Sequence, residues 1–340
     1  MLGDTYVPGM LFSPSGHSGR LLRSSMNTAV ADGLLHLEDA CKTHVKIPSA
    51  GVPAVAARMQ NGSRETPYLY ALYFRIVEAI DEDRLGDIEV ALARIVDTAP
   101  AGDAILVTPL RQDDFPWDVE TVAHYFSAEA DTPVRYIAPA DGVTQARKAQ
   151  IADALDLLRA TCPALAAEVD ELITTIIIAG AMQSGAGSGD DEPFAFQGSS
   201  ALRAFGAILQ DDQPDLHLMD CAASLIHEEA HTVLFALSPQ EGVVENPDDE
   251  RYASPLRDDP RPMEGIFHAM FVLARMVFGM SEMIASDKLD PTQLEAAEAI
   301  RRESVPLFLD GLDTVHKHGV LTPQGALAVS EAEGYMSAFR

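Results

Sequence analysis

His227-Glu228-Glu229-Ala230-His231 puts two histidines four residues apart, and the rest of the chain is best read outward from them. On an α-helix that spacing stacks both imidazoles on one face, about one turn apart, where they can share an ion. The flanks predict such a helix. Asp220-Cys221-Ala222-Ala223-Ser224-Leu225-Ile226 leads in, and Thr232-Val233-Leu234-Phe235-Ala236-Leu237 leads out. Apolar residues at Ala223, Ile226, Ala230, Val233, Leu234 and Leu237 recur at helical spacing, and Ser238-Pro239 supplies a stop. A pair of core histidines on an amphipathic helix would show the same periodicity, but H-E-x-x-H rarely arises by chance, and the metal reading is preferred.

A catalytic metal needs a third protein ligand and an open position. Arg261-Pro262-Met263-Glu264-Gly265-Ile266-Phe267-His268 offers two candidates, with Pro262 placed to start a helix. Glu264 and His268 lie four apart on one face. His268 is preferred, because it sits deeper in the apolar run, where an unligated histidine is harder to satisfy. Either set can hold iron(II) or zinc, so the ligands alone do not name the metal. Asp220 and Ser224 could orient an imidazole, and Asp220 could equally cap the helix. His17, His36, His44, His124, His217, His316 and His318 are read as ordinary histidines, the last two flanking a turn.

The 340 residues carry 24 basic and 52 acidic side chains, a formal charge of -28. Such a field repels polyanions, which excludes nucleic acid and anionic membrane surfaces as expected partners. With 47% hydrophobic and 22% charged residues the composition is that of a globular protein. Cys41, Cys162 and Cys221 are sparse and form no C-x-x-C pair, which predicts free thiols in a reducing compartment. The N-terminus lacks a signal-peptide pattern, and no stretch is read as approaching the length of a membrane span, Ile173–Ala179 being far too short, so a cytoplasmic location is expected.

Residues from Ser24 to about Thr98 read mainly helical, with patterns over Val30–His44, Tyr68–Asp81 and Leu85–Asp97. Ala104–Val107 and Val134–Ile137 suit short strands. Pro116-Trp117-Asp118 opens a helix through Phe126, Gln145–Ala160 reads as a long helix, and another helical piece runs to about Leu172. Ile173–Ala179, β-branched and continuous, predicts a buried strand. Ser184–Asp191 is rich in Gly, Ser and Asp. It lacks the Lys-Ser or Lys-Thr of a phosphate loop and reads as a surface turn. Phe194–Phe196 and Phe205–Leu209 suit two further strands. Helical blocks follow near Gly265–Ala285, Thr292–Leu312 and Thr322–Ala338. The expected architecture is mostly α (α+β): helical lobes with a small β-sheet beside a helix-borne metal site. A helical N-terminal lobe of unassigned role, residues 1–165, would precede a metal-binding catalytic domain, residues 166–340.

Between the two metal segments lies Tyr252-Ala253-Ser254-Pro255-Leu256-Arg257-Asp258-Asp259-Pro260-Arg261-Pro262. With 24 basic residues against 52 acidic ones, two arginines beside a metal site call for a partner, and a guanidinium fork suits capture of a carboxylate. Pairing of Arg257 and Arg261 with Asp258, Asp259 or Glu264, merely pinning the loop, is an equal alternative. Arg275, two helical turns beyond His268, is a third candidate for ligand binding or for a buried salt bridge.

These segments, from Ile226-His227-Glu228-Glu229-Ala230-His231 through Ser254-Pro255-Leu256-Arg257 to Arg261-Pro262 and Gly265-Ile266-Phe267-His268, resemble the H-E-x-x-H proteins of peptide and natural-product biosynthesis. The resemblance covers about residues 170 to 285. It is specific in the S-P-x-R…R-P-x-x-G-x-x-H portion and loose elsewhere. It implies an iron(II)- and 2-oxoglutarate-dependent oxygenase that hydroxylates the β-carbon of an amino acid, free, in a peptide or carrier-tethered. His227, His231 and His268 would then be the iron ligands. Arg257 and Arg261 would hold the 2-oxoglutarate carboxylates, with Tyr252 and Ser254 lining the pocket and Glu228 positioning substrate. The alternative is a zinc hydrolase in which Glu228 serves as general base to a metal-bound water. Simple peptide hydrolysis, however, gives the arginine segment no obvious task. A closed structural metal site would favour a fourth ligand, usually Cys, and Cys221 lies on a poorly matched face.

Overall fold

A computed structural model describes residues 9–44, 51–129, 134–140, 142–184, 191–213, 217–256 and 259–339. Among them are eleven α-helices and six short strands, so the chain is mostly α with a small mixed sheet. Two compact units are present, and each draws on several stretches of sequence rather than dividing near residue 165. One comprises residues 1–22, 149–169 and 215–340; the other comprises 23–148 and 170–214.

The helices are α1 (Gly16–Cys41), α2 (Gly51–Gln60), α3 (Pro67–Asp81), α4 (Leu85–Asp97), α5 (Val119–Ala128), α6 (Thr144–Thr161), α7 (Pro163–Leu172), α8 (Leu218–Leu237), α9 (Met263–Ala285), α10 (Pro291–His318) and α11 (Pro323–Met336). The strands are β1 (Leu106–Pro109), β2 (Val134–Ile137), β3 (Thr175–Ser184), β4 (Asp191–Pro193), β5 (Gly198–Ser200) and β6 (Ala207–Asp211).

All six strands belong to the second unit, whereas α8 and α9, which carry His227, His231 and His268, belong to the first. Strand β3 is the organiser. Ile176, Ile177 and Ile178 are fully buried, as a strand covered on both faces requires. Its first half pairs in parallel with β1, Leu106 opposite Thr175, and with β6, Thr175 opposite Ala207. Its second half pairs antiparallel with β2 and β4, and β5 closes onto β6. From α6, the buried Arg147 reaches the end of β6. Its Nε donates to the Asp211 carbonyl at 2.8 Å, and its Nη2 to Gln210 Oε1 at 3.1 Å and Asp211 Oδ1 at 3.0 Å. Burial pushes the Asp211 carboxyl up to about 6, against the opposing pull of Arg147.

Several sequence expectations shift here. Ala104–Val107 moves two residues on, to β1, and Phe194–Phe196 falls between β4 and β5 rather than in a strand, although Phe194 N–H still donates to the Ala181 carbonyl of β3 at 2.9 Å. Helix α10 continues to His318, so His316 and His318 lie in its last turn instead of flanking one. The Gly-rich turn lies at residues 185–190, outside those described.

In the first unit, α8 and α9 are apolar on nearly every face, which is what a helix surrounded by others requires. Contacts pair His231 with His268, Glu229 with Arg275, and Ile226 with Gly279, so the two helices run antiparallel. Gly279 permits the approach, since a Cβ there would lie 2.6 Å from Ile226 Cδ1. The next helices start on local chemistry. Asp290 and Gln293 form a reciprocal capping box at α10, and the Thr322 hydroxyl accepts from Gly325 N–H at α11. One correction concerns length: α9, 23 residues, is long and apolar enough to cross a membrane, although no such span was expected. In this fold 78% of its most apolar window is buried inside the protein, as in a core helix.

Candidate metal centre

Helix α8 carries His227 and His231, and α9 carries His268 in its second turn. His231 is the middle member. Its Nε2 lies 3.3 Å from His227 Nε2, and its Nδ1 lies 2.9 Å from His268 Nδ1. The His231 and His268 rings stack at a centroid distance of 5.1 Å, and Phe235, one turn beyond His231, packs 5.6 Å from His268. That apolar flank withdraws the imidazoles from water. Burial holds His231 well below the ordinary histidine range, the like charges of His227 and His268 adding to the effect, and burial alone holds His268 down to about 4. Both rings are therefore neutral near pH 7 and keep a lone pair for a ligand bond.

The chemistry of the donor set fits an ion, and so does half of its geometry. Two nitrogens bound to one zinc-sized ion at about 2.0–2.1 Å in a tetrahedral arrangement stand roughly 3.3 Å apart, which is the His227–His231 separation. His268 instead faces the other nitrogen of His231. Among the described residues, accordingly, no three His, Cys, Asp or Glu side chains form a group that could hold a metal ion. As the rings stand, His231 Nδ1–H can donate to His268 Nδ1, which makes His268 an orienting partner of the ligand pair. A half-turn of the His231 ring about Cβ–Cγ exchanges Nε2 with Cε1, the atom between its two nitrogens. Such ring orientations are set by the hydrogen-bond network rather than by ring shape. Of the two candidates for the third position, packing brings His268 to the pair. Glu264 keeps an exposed face near Gly242 instead, and its carboxyl is raised by partial burial and by the charge of Asp248.

Glu228 is buried, with Oε1 4.0 Å from His227 Nε2, close enough to act on whatever binds there. Glu229 points the other way. Both its oxygens accept from Arg275 Nη2, at 3.0 and 2.9 Å, and the same nitrogen donates to Glu168 Oε1. Arg275 Nη1 donates to the Leu11 carbonyl, and the Ser18 hydroxyl donates to Glu168 Oε2 at 2.6 Å. Every member of this cluster is buried. Of the two sequence readings of Arg275, this geometry is the buried salt bridge, and the guanidinium, wholly buried, is out of reach of a small-molecule carboxylate. Sequence reasoning missed Glu168 and Ser18, which no spacing rule links to the H-E-x-x-H helix.

The remaining candidates occupy the loop before α9. Tyr252 and Arg261 exchange backbone hydrogen bonds at 2.8 and 2.9 Å and so close the segment between them. The Tyr252 hydroxyl donates to the Glu250 carboxylate and accepts from Asn246 Nδ2 at 3.2 Å. Ser254 Oγ accepts from Leu256 N–H at 3.3 Å, a turn-forming bond. Arg261 Nη2 pairs with Asp259 at 3.1 Å; its side chain is 11% exposed and that of Asp259 66%. Loop pinning is thus the role Arg261 fills here, through a solvent-facing partner that a stronger anion could replace. Arg257 lies outside the described residues. Asp220 does not cap α8: the capping position is His217, and Asp220 sits in the first turn, where its charge favours the helix dipole. No family model matches the chain, and no curated protein matches it.

Proposed function

We propose that the chain is a non-haem iron(II)- and 2-oxoglutarate-dependent oxygenase that hydroxylates an amino acid at its β-carbon, in cytoplasmic natural-product biosynthesis. The substrate would be free, within a peptide or carrier-bound. The observation that carries this reading is the cluster of three imidazoles on two antiparallel helices, two of them held neutral by burial. The resemblance of the flanking S-P-x-R…R-P-x-x-G-x-x-H segment supports it.

Bound iron would couple oxidative decarboxylation of 2-oxoglutarate, which yields succinate and carbon dioxide, to insertion of one oxygen atom of O2 into a C–H bond. The protein's part is binding, orientation and exclusion of water. His227 and His231 would present their Nε2 lone pairs to the ion, and His268 would join them or fix the His231 tautomer. Phe235 and the apolar flanks of α8 and α9 shield one side from bulk water. Glu228, buried beside His227, would hold a cationic or hydrogen-bonding group of the substrate. Arg257 and Arg261 are the arginines proposed to take 2-oxoglutarate, Arg261 by exchanging Asp259 for the ligand's carboxylate.

A second reading is favoured by one observation, the buried Glu228 carboxylate 4.0 Å from His227 Nε2. A zinc hydrolase needs a general base in that place. One experiment separates the two. The protein is loaded with ferrous iron and 2-oxoglutarate without oxygen, then given air and candidate amino acids or peptides. Succinate release dependent on His227, His231 and iron supports the oxygenase. Chelator-sensitive, zinc-restored hydrolysis without succinate replaces it with the hydrolase.

A further inference from the structure

The second unit contains a cleft of about 460 Å3 bounded by α3, the turn into α4, α5 and β2. Small-molecule sites typically have volumes of roughly 300–1,000 Å3. Its walls carry three arginines, Arg75, Arg84 and Arg135, in a chain with 24 basic residues against 52 acidic ones. Arg84 is bound to Glu82 and Asp87. Arg75 is different. It is half-buried on α3, and among the described residues no carboxylate lies within ion-pair distance of it. Among the described residues its one hydrogen bond is a long 3.4 Å contact from Nη1 to the Thr121 hydroxyl.

The acids that could have served Arg75 are committed elsewhere. Glu78, one turn along α3, accepts from the Tyr125 hydroxyl at 3.1 Å and from Arg203 at 2.9 Å. Asp118 accepts from Thr121 at 2.9 Å and pairs with Arg94 at 3.3 Å. A half-buried guanidinium with no carboxylate in ion-pair reach is open to an anionic ligand, and in so acidic a chain an acidic partner would be the default. The ring of Tyr136, held edge-on by Phe126 and Phe196, adds a flat half-buried wall. Glu120, at the exposed rim, tolerates a ligand that carries an amino group beyond its anionic end.

We propose that this cleft binds a small molecule bearing a carboxylate or phosphate group, with Arg75 as its anchor. The site is independent of the histidine cluster and does not rest on the oxygenase reading. Calorimetric titration of the full chain, held in chelator, with inorganic phosphate and separately with succinate tests it. At least one probe should bind saturably and more weakly as salt rises. Arg75→Met should weaken that binding tenfold or more, while Arg75→Lys retains part of it. Phosphate alone would mark a phosphoryl ligand, and succinate alone a carboxylate. His231→Ala, in the other unit, should bind the probe as the native chain does. Should Arg75→Met fail to fold, Thr121→Val, which removes the hydroxyl that steadies Arg75, should shift the affinity instead. Absence of binding by both probes, unchanged affinity in Arg75→Met, or loss of binding in His231→Ala would overturn the proposal.

Discussion

Arg275 Nη2 contacts both carboxylate oxygens of Glu229, at 3.0 and 2.9 Å, two turns along α9 from His268. This contact therefore joins the same two helices that bring His231 to His268. Removing the guanidinium would leave Glu168 and Glu229 buried together with no cation. Arg275→Met should lower stability by about 3–5 kcal/mol, the range for a buried pair that loses one partner, read as a shift in the urea midpoint. A loss below about 1 kcal/mol would mean that water reaches the cluster.

The same cluster makes stability depend on pH. Burial first, with the charge of Glu168 adding to it, pushes the Glu229 carboxyl from 4.5 up to about 8, although Arg275 pulls it down. The folded chain thus holds a proton that the unfolded chain has released. This contribution is full below about pH 4.5 and is lost as pH rises through about 8. Glu229→Gln, which resembles the protonated acid, should flatten the decline. Metal-free protein unfolded in urea at about pH 5 and about pH 8 gives the comparison. Equal slopes for variant and native chain would place the proton elsewhere.

At the metal centre, His268 and Glu264 make opposite predictions although they share a helical face. His268→Ala should weaken metal binding by roughly 10–100-fold, whether the ring ligates the ion or orients His231. Glu264→Ala should leave it within about threefold. Competition against a coloured chelator measures both. A larger effect at Glu264 would return the carboxylate to the ligand set.

In the second unit, Arg147→Met should leave the Asp211 carboxylate buried without its cation and lower stability by about 3–5 kcal/mol. Burial already holds the Asp211 carboxyl at about 6, so the variant's deficit should shrink below that pH, where the acid is neutral. Thermal unfolding at about pH 5 and about pH 7.5 would show this. A deficit that is the same at both would exclude an electrostatic origin.

The sequence by itself determined what depends on near neighbours. The α8 helix, the boundaries of α4 and β2, and the placing of two imidazoles on one face all follow from side-chain period and stop signals within a few residues. The mostly α architecture was legible for the same reason. Only the tertiary structure decided what depends on distant chain. His268 and Glu264 are equivalent by spacing, and the antiparallel packing of α9 on α8 brings just one of them to the pair. Arg275 looked available for a ligand until Glu168 and Leu11, more than 100 residues away in sequence, closed around it. Phe194–Phe196 lies between β4 and β5, with Phe194 N–H bonded to Ala181 of β3, because a short segment's own composition does not name its hydrogen-bonding partners. Local geometry is written in i to i+4 spacing, whereas the burial of a charge and the choice of its partner are settled by whichever segments pack against it.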